Sequence, residues 1–166
     1  MSTFVTVGND KKPFTRLLQA VTELAPRLPA PVIVQHGHTP FADARCQPFA
    51  FLGMDEFERQ LREASLLITH AGAGSILGAI QARKVPIVVP RRAGMHEHVN
   101  DHQIELAAQL ETTGRIVVVQ DVAMLAQAVD AAMEKQARLN TDKTDAGAAL
   151  IAAVAGVLQN YAKEIR

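Results

Sequence analysis

The sequence predicts an α/β domain, built on a doubly wound and mostly parallel sheet, and three observations carry that prediction. Short runs of branched aliphatic residues recur along the chain, as strands buried on both faces require. Between them lie segments with apolar residues at helical spacing. Glycine-rich or polar clusters follow several of the strands, where an open parallel sheet gathers its ligand-binding loops.

Phe4 to Val7 is the first β-prone run, ended by Gly8-Asn9-Asp10. Pro13 then opens a helix whose apolar face holds Phe14, Leu17, Leu18, Val21 and Leu24. Pro31 to Gln35 is a second buried strand, stopped by His36-Gly37-His38; residues 38 to 48 read as loop, and Phe49 to Leu52 as a weaker third strand. Asp55 suits the cap of a helix reaching residue 63. Ser65 to Thr69 is a strand that empties into His70-Ala71-Gly72-Ala73-Gly74, with a helix from Ser75 to Arg83 beyond it.

Pro86 to Pro90 is the next strand, followed by a polar loop over 91–100. Asp101 to Glu111 carries Ile104, Leu106, Ala107 and Leu110 on one helical face, and Gly114 ends it. Ile116 to Val119 is the last strand, and Asp121 caps a helix to residue 137. Leu139 to Asp145 reads as a linker; Ala148 to Ile165 is a helix with a stripe of Leu150, Ile151, Val154, Val157, Leu158 and Tyr161. The organisation expected is an α/β domain over 1–138, then a linker and C-terminal helix over 139–166 that packs on the domain or docks a partner.

Composition narrows the function classes. A chain of 166 residues suits one domain with a sizeable core. Lys plus Arg and Asp plus Glu are both 17, with no run of one sign, so no nucleic-acid footprint is expected. Cys46 stands alone, which rules out an internal disulfide and fits a reducing, cytoplasmic setting. No segment approaches about 18 uninterrupted apolar residues, so a soluble chain is expected.

The chemistry-bearing residues gather after the strands. In His70-Ala71-Gly72-Ala73-Gly74-Ser75 the glycines permit close backbone approach, and Ser75 with the following N–H groups would face a phosphate at a helix N-terminus. A bare G-x-G equally marks a tight strand-to-helix turn. The spacing Gly72, Gly74, Gly78 misses the dinucleotide fingerprint by one residue, and no phosphate-loop lysine motif occurs. Glu97, His98, Asn100, Asp101, His102 and Gln103 crowd donors and acceptors at a helix entry, as sugar hydroxyls require; a solvated cap at Asp101 is the plainer reading. Arg91 and Arg92 could neutralise a diphosphate or stand solvated. His96, His98 and His102 come with no H-E-x-x-H and no carboxylate set, so no metal is expected. No nucleophile elbow occurs.

Thr69 to Leu77 and Glu97 to Ala107 resemble the C-terminal domain of glycosyltransferase family 28. More narrowly, the chain is similar to the stand-alone small subunits of bacterial exopolysaccharide glycosyltransferases and to the soluble subunit of the eukaryotic dolichol-linked GlcNAc transferase. Thr6-Val7-Gly8, Gln35-x-Gly37, the HAGAGS loop, Lys84-Val85-Pro86 and the DHQ-x-ELA helix follow in that family's order. The resemblance implies the Rossmann-like half of a GT-B enzyme, holding a UDP-sugar as substrate with no cofactor or metal. It further implies inverting transfer to a lipid-linked acceptor presented by a membrane-associated partner subunit, which would also supply the general base.

Carried over by position, the resemblance puts Gly8 and Asn9 near the diphosphate. It makes Gly72, Gly74 and Ser75, beside His70, the nucleotide loop, and it brings His102 and Gln103 to the donor sugar. Backbone near Leu52 to Met54 would face uracil. Arg91, Glu97 and His98 complete the donor-site candidates. One departure stands out: many relatives carry a ribose-binding Glu on the loop helix where this chain has Gly78. A non-catalytic scaffold docking a membrane protein through Ala148 to Ile165 is the alternative from another class, and a self-sufficient nucleotide-sugar epimerase is a third. An orphan half-site with an exposed apolar face would also favour homo-oligomers.

Overall fold

The computed structural model describes residues 1–142 and 147–164. Six strands form one sheet: β1 Thr3–Thr6, β2 Val32–Gln35, β3 Cys46–Phe49, β4 Leu66–His70, β5 Ile87–Val89 and β6 Val117–Val118. Their order is β3-β2-β1-β4-β5-β6 and every pairing is parallel. The order reverses between β1 and β4, which defines the doubly wound topology expected above.

Among the described residues six α-helices cover the two faces: α1 Thr15–Leu24, α2 Met54–Glu63, α3 Ala73–Gln81, α4 His102–Glu111, α5 Leu125–Thr141 and α6 Gly147–Glu164. Alternation along each strand sends neighbouring side chains to opposite faces. Val5, Val34, Ile68 and Val89 pack with Leu17 and Val21 of α1 and with Leu125 and Ala128 of α5. On the other side Val88 and Ile116 meet Ile76 and Ile80 of α3, Leu106 and Leu110 of α4, and Val154 and Leu158 of α6. Phe4, Ile33 and Leu67 receive Leu61 of α2 on that same side. The terminal helix thus packs on its own domain, against α3 and α4.

Several boundaries differ from the sequence expectation. The third strand is Cys46–Phe49, not Phe49 to Leu52. It is an edge strand, paired from Cys46 opposite Val32 to Phe49 opposite Gln35, and three of its four residues are exposed. Its sequence therefore lacks the apolar run of a central strand, and Pro48 is tolerated there because one edge needs no partner. α3 begins at Ala73, with Gly72 as its N-cap, so Gly74 and Ser75 belong to its first turn.

Asp121 caps a single 3-10 turn, Val122–Met124, through Ala123 N–H (3.0 Å), and α5 follows at Leu125. α5 continues to Thr141, past the expected linker start at Leu139. The Arg83 guanidinium donates to the carbonyls of Leu139 and Asp142, satisfying helix-end acceptors that would otherwise need water. Linker residues 143–146 and Ile165 lie outside the described residues, as does the side chain of Leu150. Among the described residues no helix is long and apolar enough to cross a membrane.

Candidate functional site

β1 feeds a helix on one face of the sheet and β4 feeds a helix on the other, so their carboxyl ends diverge and leave a crevice. A cavity of about 520 Å³ occupies it. Gly8, Asn9, His70, Gly72, Gly74 and Ser75, all named from the sequence, are among the residues that line it. Leu52, Met54 and Phe57 wall the side formed by the β3 exit and α2.

The floor is built by mutual accommodation of three residues. Gly8 adopts φ +77°, a left-handed conformation that disfavours side chains. A Cβ on Gly8 would lie 2.5 Å from His70 Nε2, and one on Gly72 would lie 2.6 Å from the same atom. The imidazole therefore fills the space that two glycines leave open. Burial pushes its pKa down to about 3, with the Arg91 and His98 charges acting in the same direction and Asp10 opposing. The ring is neutral near pH 7, so one nitrogen donates and the other accepts. Its Nδ1 is buried without a partner among the described residues.

α3 points its N-terminus into the same crevice. Among the described residues no side chain caps it, and its first hydrogen bond runs from Ile76 N–H to Gly72 O (3.1 Å). The preceding N–H groups and the positive end of the helix dipole are thus available to an anion. No Lys or Arg is among the residues lining the cavity.

Gln35 and Thr6 also border the cavity. The Thr6 hydroxyl donates to Gln35 Oε1, while Gln35 Nε2 donates to Gly8 O (3.3 Å) and Ala50 O (2.9 Å). One amide thereby ties the ends of β1 and β3 to β2. The signal for it was a polar residue closing the apolar run Val32-Ile33-Val34 at the ligand edge. Glu58 and Gln81 line the cavity too, and neither position carries a motif.

The remaining candidates are not brought to the cavity. Arg91 is wholly buried; it donates to the carbonyls of Val7 (2.6 Å), Lys12 (2.8 Å) and Glu97 (3.0 Å), and its guanidinium stacks 4.7 Å from the Phe14 ring centroid. As placed it clamps the loops after β1 and β5, and it is not among the residues that line the cavity. Glu97 is 3% exposed and forms a two-pronged pair with Arg16, with N···O distances of 3.1 and 2.9 Å. It also accepts from Arg92 N–H (3.1 Å).

His98 faces Asn100 Oδ1 (3.2 Å) and Asp10 (3.8 Å). The His102 ring turns toward α6, where Tyr161 packs edge-on at 5.5 Å and donates to the His102 carbonyl. Gln103 Oε1 accepts from Arg91 N–H (3.0 Å). Asp101 holds the N-cap position of α4 without a side-chain cap bond; its Oδ1 accepts from Ala93 N–H (2.9 Å), and Asn100 Oδ1 takes the His102 N–H (3.0 Å). Among the described residues no three of His, Cys, Asp and Glu cluster as metal ligands.

A model of the glycosyltransferase family 28 C-terminal domain matches residues 2–156. The UDP-N-acetylglucosamine transferase subunit ALG13 of Mus musculus is 40% identical over 62 residues, 37% of this chain and 5% of that protein. The calicheamicin glycosyltransferase CalG4 superposes with a TM-score of 0.60 at 19% identity, over 99% of this chain and 44% of that one. MurG of Acinetobacter baumannii gives 0.55 at 18% identity, over 93% and 49%. The chain therefore spans less than half of these structures and a small fraction of the ALG13 relative.

Proposed function

The chain belongs to the glycosyltransferase family 28 C-terminal domain family, and from that premise we propose that it is the donor-binding subunit of a two-component inverting glycosyltransferase. It holds a UDP-sugar, while a membrane-associated partner subunit presents a lipid-linked acceptor, in exopolysaccharide or glycolipid synthesis. The observation that carries the reading is the cavity at the β1/β4 switch point, which opens onto the uncapped N-terminus of α3 and the neutral His70 imidazole.

In this reading the diphosphate lies against the backbone N–H groups of Gly74 and Ser75, with Gly8, Asn9 and His70 around it. These dipoles are fixed before the sugar–phosphate bond breaks. They stabilise the charge that grows on the departing UDP without reorganising. Gln103, its Oε1 held by Arg91 N–H, would meet the sugar with His98 and His102 where the sugar extends past the cavity, and the His102 ring would turn from Tyr161 to do so. The acceptor hydroxyl must lose a proton on the opposite side, and the partner supplies that base. No cofactor takes part and no resident metal is needed, so EDTA should leave transfer unchanged.

The same reading places the partner over the carboxyl edge of the sheet. Phe49 at the end of β3, Phe51 and Met54 beyond it, and Met95 and Val99 after β5 are exposed apolar residues on that edge. Without the partner, this edge favours self-association. The scaffold alternative would need the α6 stripe for a membrane protein, yet Val154, Leu158 and Tyr161 are already buried on α3 and α4.

Calorimetric titration with UDP, UDP-GlcNAc, UDP-glucose and UDP-glucuronic acid, alone and with a candidate partner, tests the reading. Selective binding of one UDP-sugar is expected, and Ser75→Ala combined with Gly74→Phe should abolish transfer in the reconstituted pair. Full activity of that double variant would sink the assignment.

A further inference from the structure

We infer that Glu58 reads the hydroxyl groups of the bound nucleoside, giving the cavity a phosphate end and a diol end. The inference rests on the UDP-sugar reading above and names a residue within it.

α2 and α3 each present one stripe to the cavity: Met54, Glu58 and Leu61 from the first, Gly74, Gly78 and Gln81 from the second. Both stripes follow the i, i+4, i+7 positions of one helical face. The two helices touch at Gly78, where a Cβ would come 2.9 Å from Leu61 Cδ1. α3 consequently offers no side chain at that level, and the groove stays open. Each helix follows a parallel strand, so both run back from the carboxyl edge. Glu58, three residues before Leu61, therefore stands about 4.5 Å nearer that edge, alongside the first turn of α3.

Charge then decides which part of a nucleotide fits where. Glu58 is the only acidic residue among those lining the cavity. An ionised carboxylate accepts hydrogen bonds and cannot donate, so it selects O–H groups and repels phosphate. The phosphates are driven to the α3 N-terminus, which attracts them. Leu52 and Phe57, which also line the cavity, offer an apolar wall to the base on the side of the ribose away from the phosphates. Glu58 is free for this role: its side chain is 56% exposed, and its ion-pair partner Arg62 is 3.9 Å away. The adjacent 2′ and 3′ hydroxyls of ribose supply the pair of donors that a carboxylate binds.

The test is calorimetric titration of the full chain with UDP and with 2′-deoxy-UDP, for wild type, Glu58→Gln and Glu58→Ala. Wild type should prefer UDP by about tenfold or more, the range of one hydrogen bond to a charged acceptor. Glu58→Ala should bind both ligands alike, more weakly than wild type binds the deoxy compound, which keeps its 3′ hydroxyl contact. Glu58→Gln, which keeps one acceptor oxygen, should retain part of the preference. Unchanged thermal midpoints will show that the variants are folded. Equal binding of the two ligands by wild type, or full discrimination in Glu58→Ala, would overturn the inference and leave the donor-subunit reading standing. Failure of wild type to bind UDP at millimolar concentration, alone and with the partner, would instead overturn that reading and this inference with it.

Discussion

Replacing Gly72 by Ala inserts one methyl group into the cavity floor, and the structure fixes what it meets. The new Cβ would lie 2.6 Å from His70 Nε2 and 2.9 Å from Nδ1, well inside van der Waals contact. The imidazole cannot swing aside freely, because Gly8 closes on its other flank. Overpacking of this kind costs about 1–3 kcal/mol. Backbone conformation adds no strain, since Gly72 has φ −77° and ψ 132°, which Ala adopts readily. The poorer N-cap quality of Ala and its smaller unfolded-state entropy oppose each other at about 0.5–1 kcal/mol. The net loss of about 1–3 kcal/mol lowers the thermal midpoint by roughly 2–12 °C for a domain of this size.

Gly74→Ala is the matched control. A Cβ there meets nothing within 4 Å, and Ala is the better helix former by up to about 1 kcal/mol, so the midpoint should hold or rise. Adding His70→Ala to Gly72→Ala should erase the clash, leaving the double variant no less stable than His70→Ala alone. Equal destabilisation by Gly72→Ala and Gly74→Ala, or no rescue by His70→Ala, would refute the account of the floor.

Two further outcomes follow from the buried groups beside the crevice. The folded state holds His70 neutral down to about pH 3, whereas an unfolded histidine takes a proton near its ordinary value of 6.5. Between those values the unfolded state carries the extra proton. Stability is thus fully present above pH 6.5 and falls toward pH 3 by up to about 1.4 kcal/mol per unit. Urea midpoints measured from pH 7 to 4 should show a shallower decline in His70→Gln, and parallel slopes would count against it. Arg91→Met strips the buried carbonyls of Val7, Lys12 and Glu97 of a shared cationic donor, and more than about 3 kcal/mol should disappear from the unfolding free energy. An Arg91→Met chain as stable as wild type but defective in ligand binding would show that the residue serves a ligand after all.

Most elements were legible because burial writes itself into composition. The central strands β1, β2, β4 and β5 are packed on both faces, so Phe4-Val5, Val32-Ile33-Val34, Leu66-Leu67-Ile68 and Ile87-Val88-Val89 stand out as apolar runs. The edge strand β3 did not, since pairing with β2 specifies its backbone while solvent leaves Gln47, Pro48 and Phe49 unconstrained. The glycine-rich loop and Gly8-Asn9 were readable for a similar reason, although the helix starts two residues earlier than expected, at Ala73. Close approach of backbone to a ligand or a ring demands glycine, and glycine is visible in any sequence.

Side-chain direction was not readable. Arg91 looked like a phosphate ligand at a strand end, yet it turns inward, where three carbonyls from the loops after β1 and β5 converge on it. His102 sits in a sugar-binding pattern, yet Tyr161, 59 residues away, draws its ring toward α6. Glu58 carries no motif, and the packing of α2 on the sheet and the close approach of Leu61 to Gly78 make it part of the cavity. The sequence alone determined the alternating α/β architecture and the loop that faces the switch point, because periodicity and glycine are local properties. Tertiary structure alone decided which polar side chains share the crevice, because that depends on long-range packing and on which buried carbonyls need a donor.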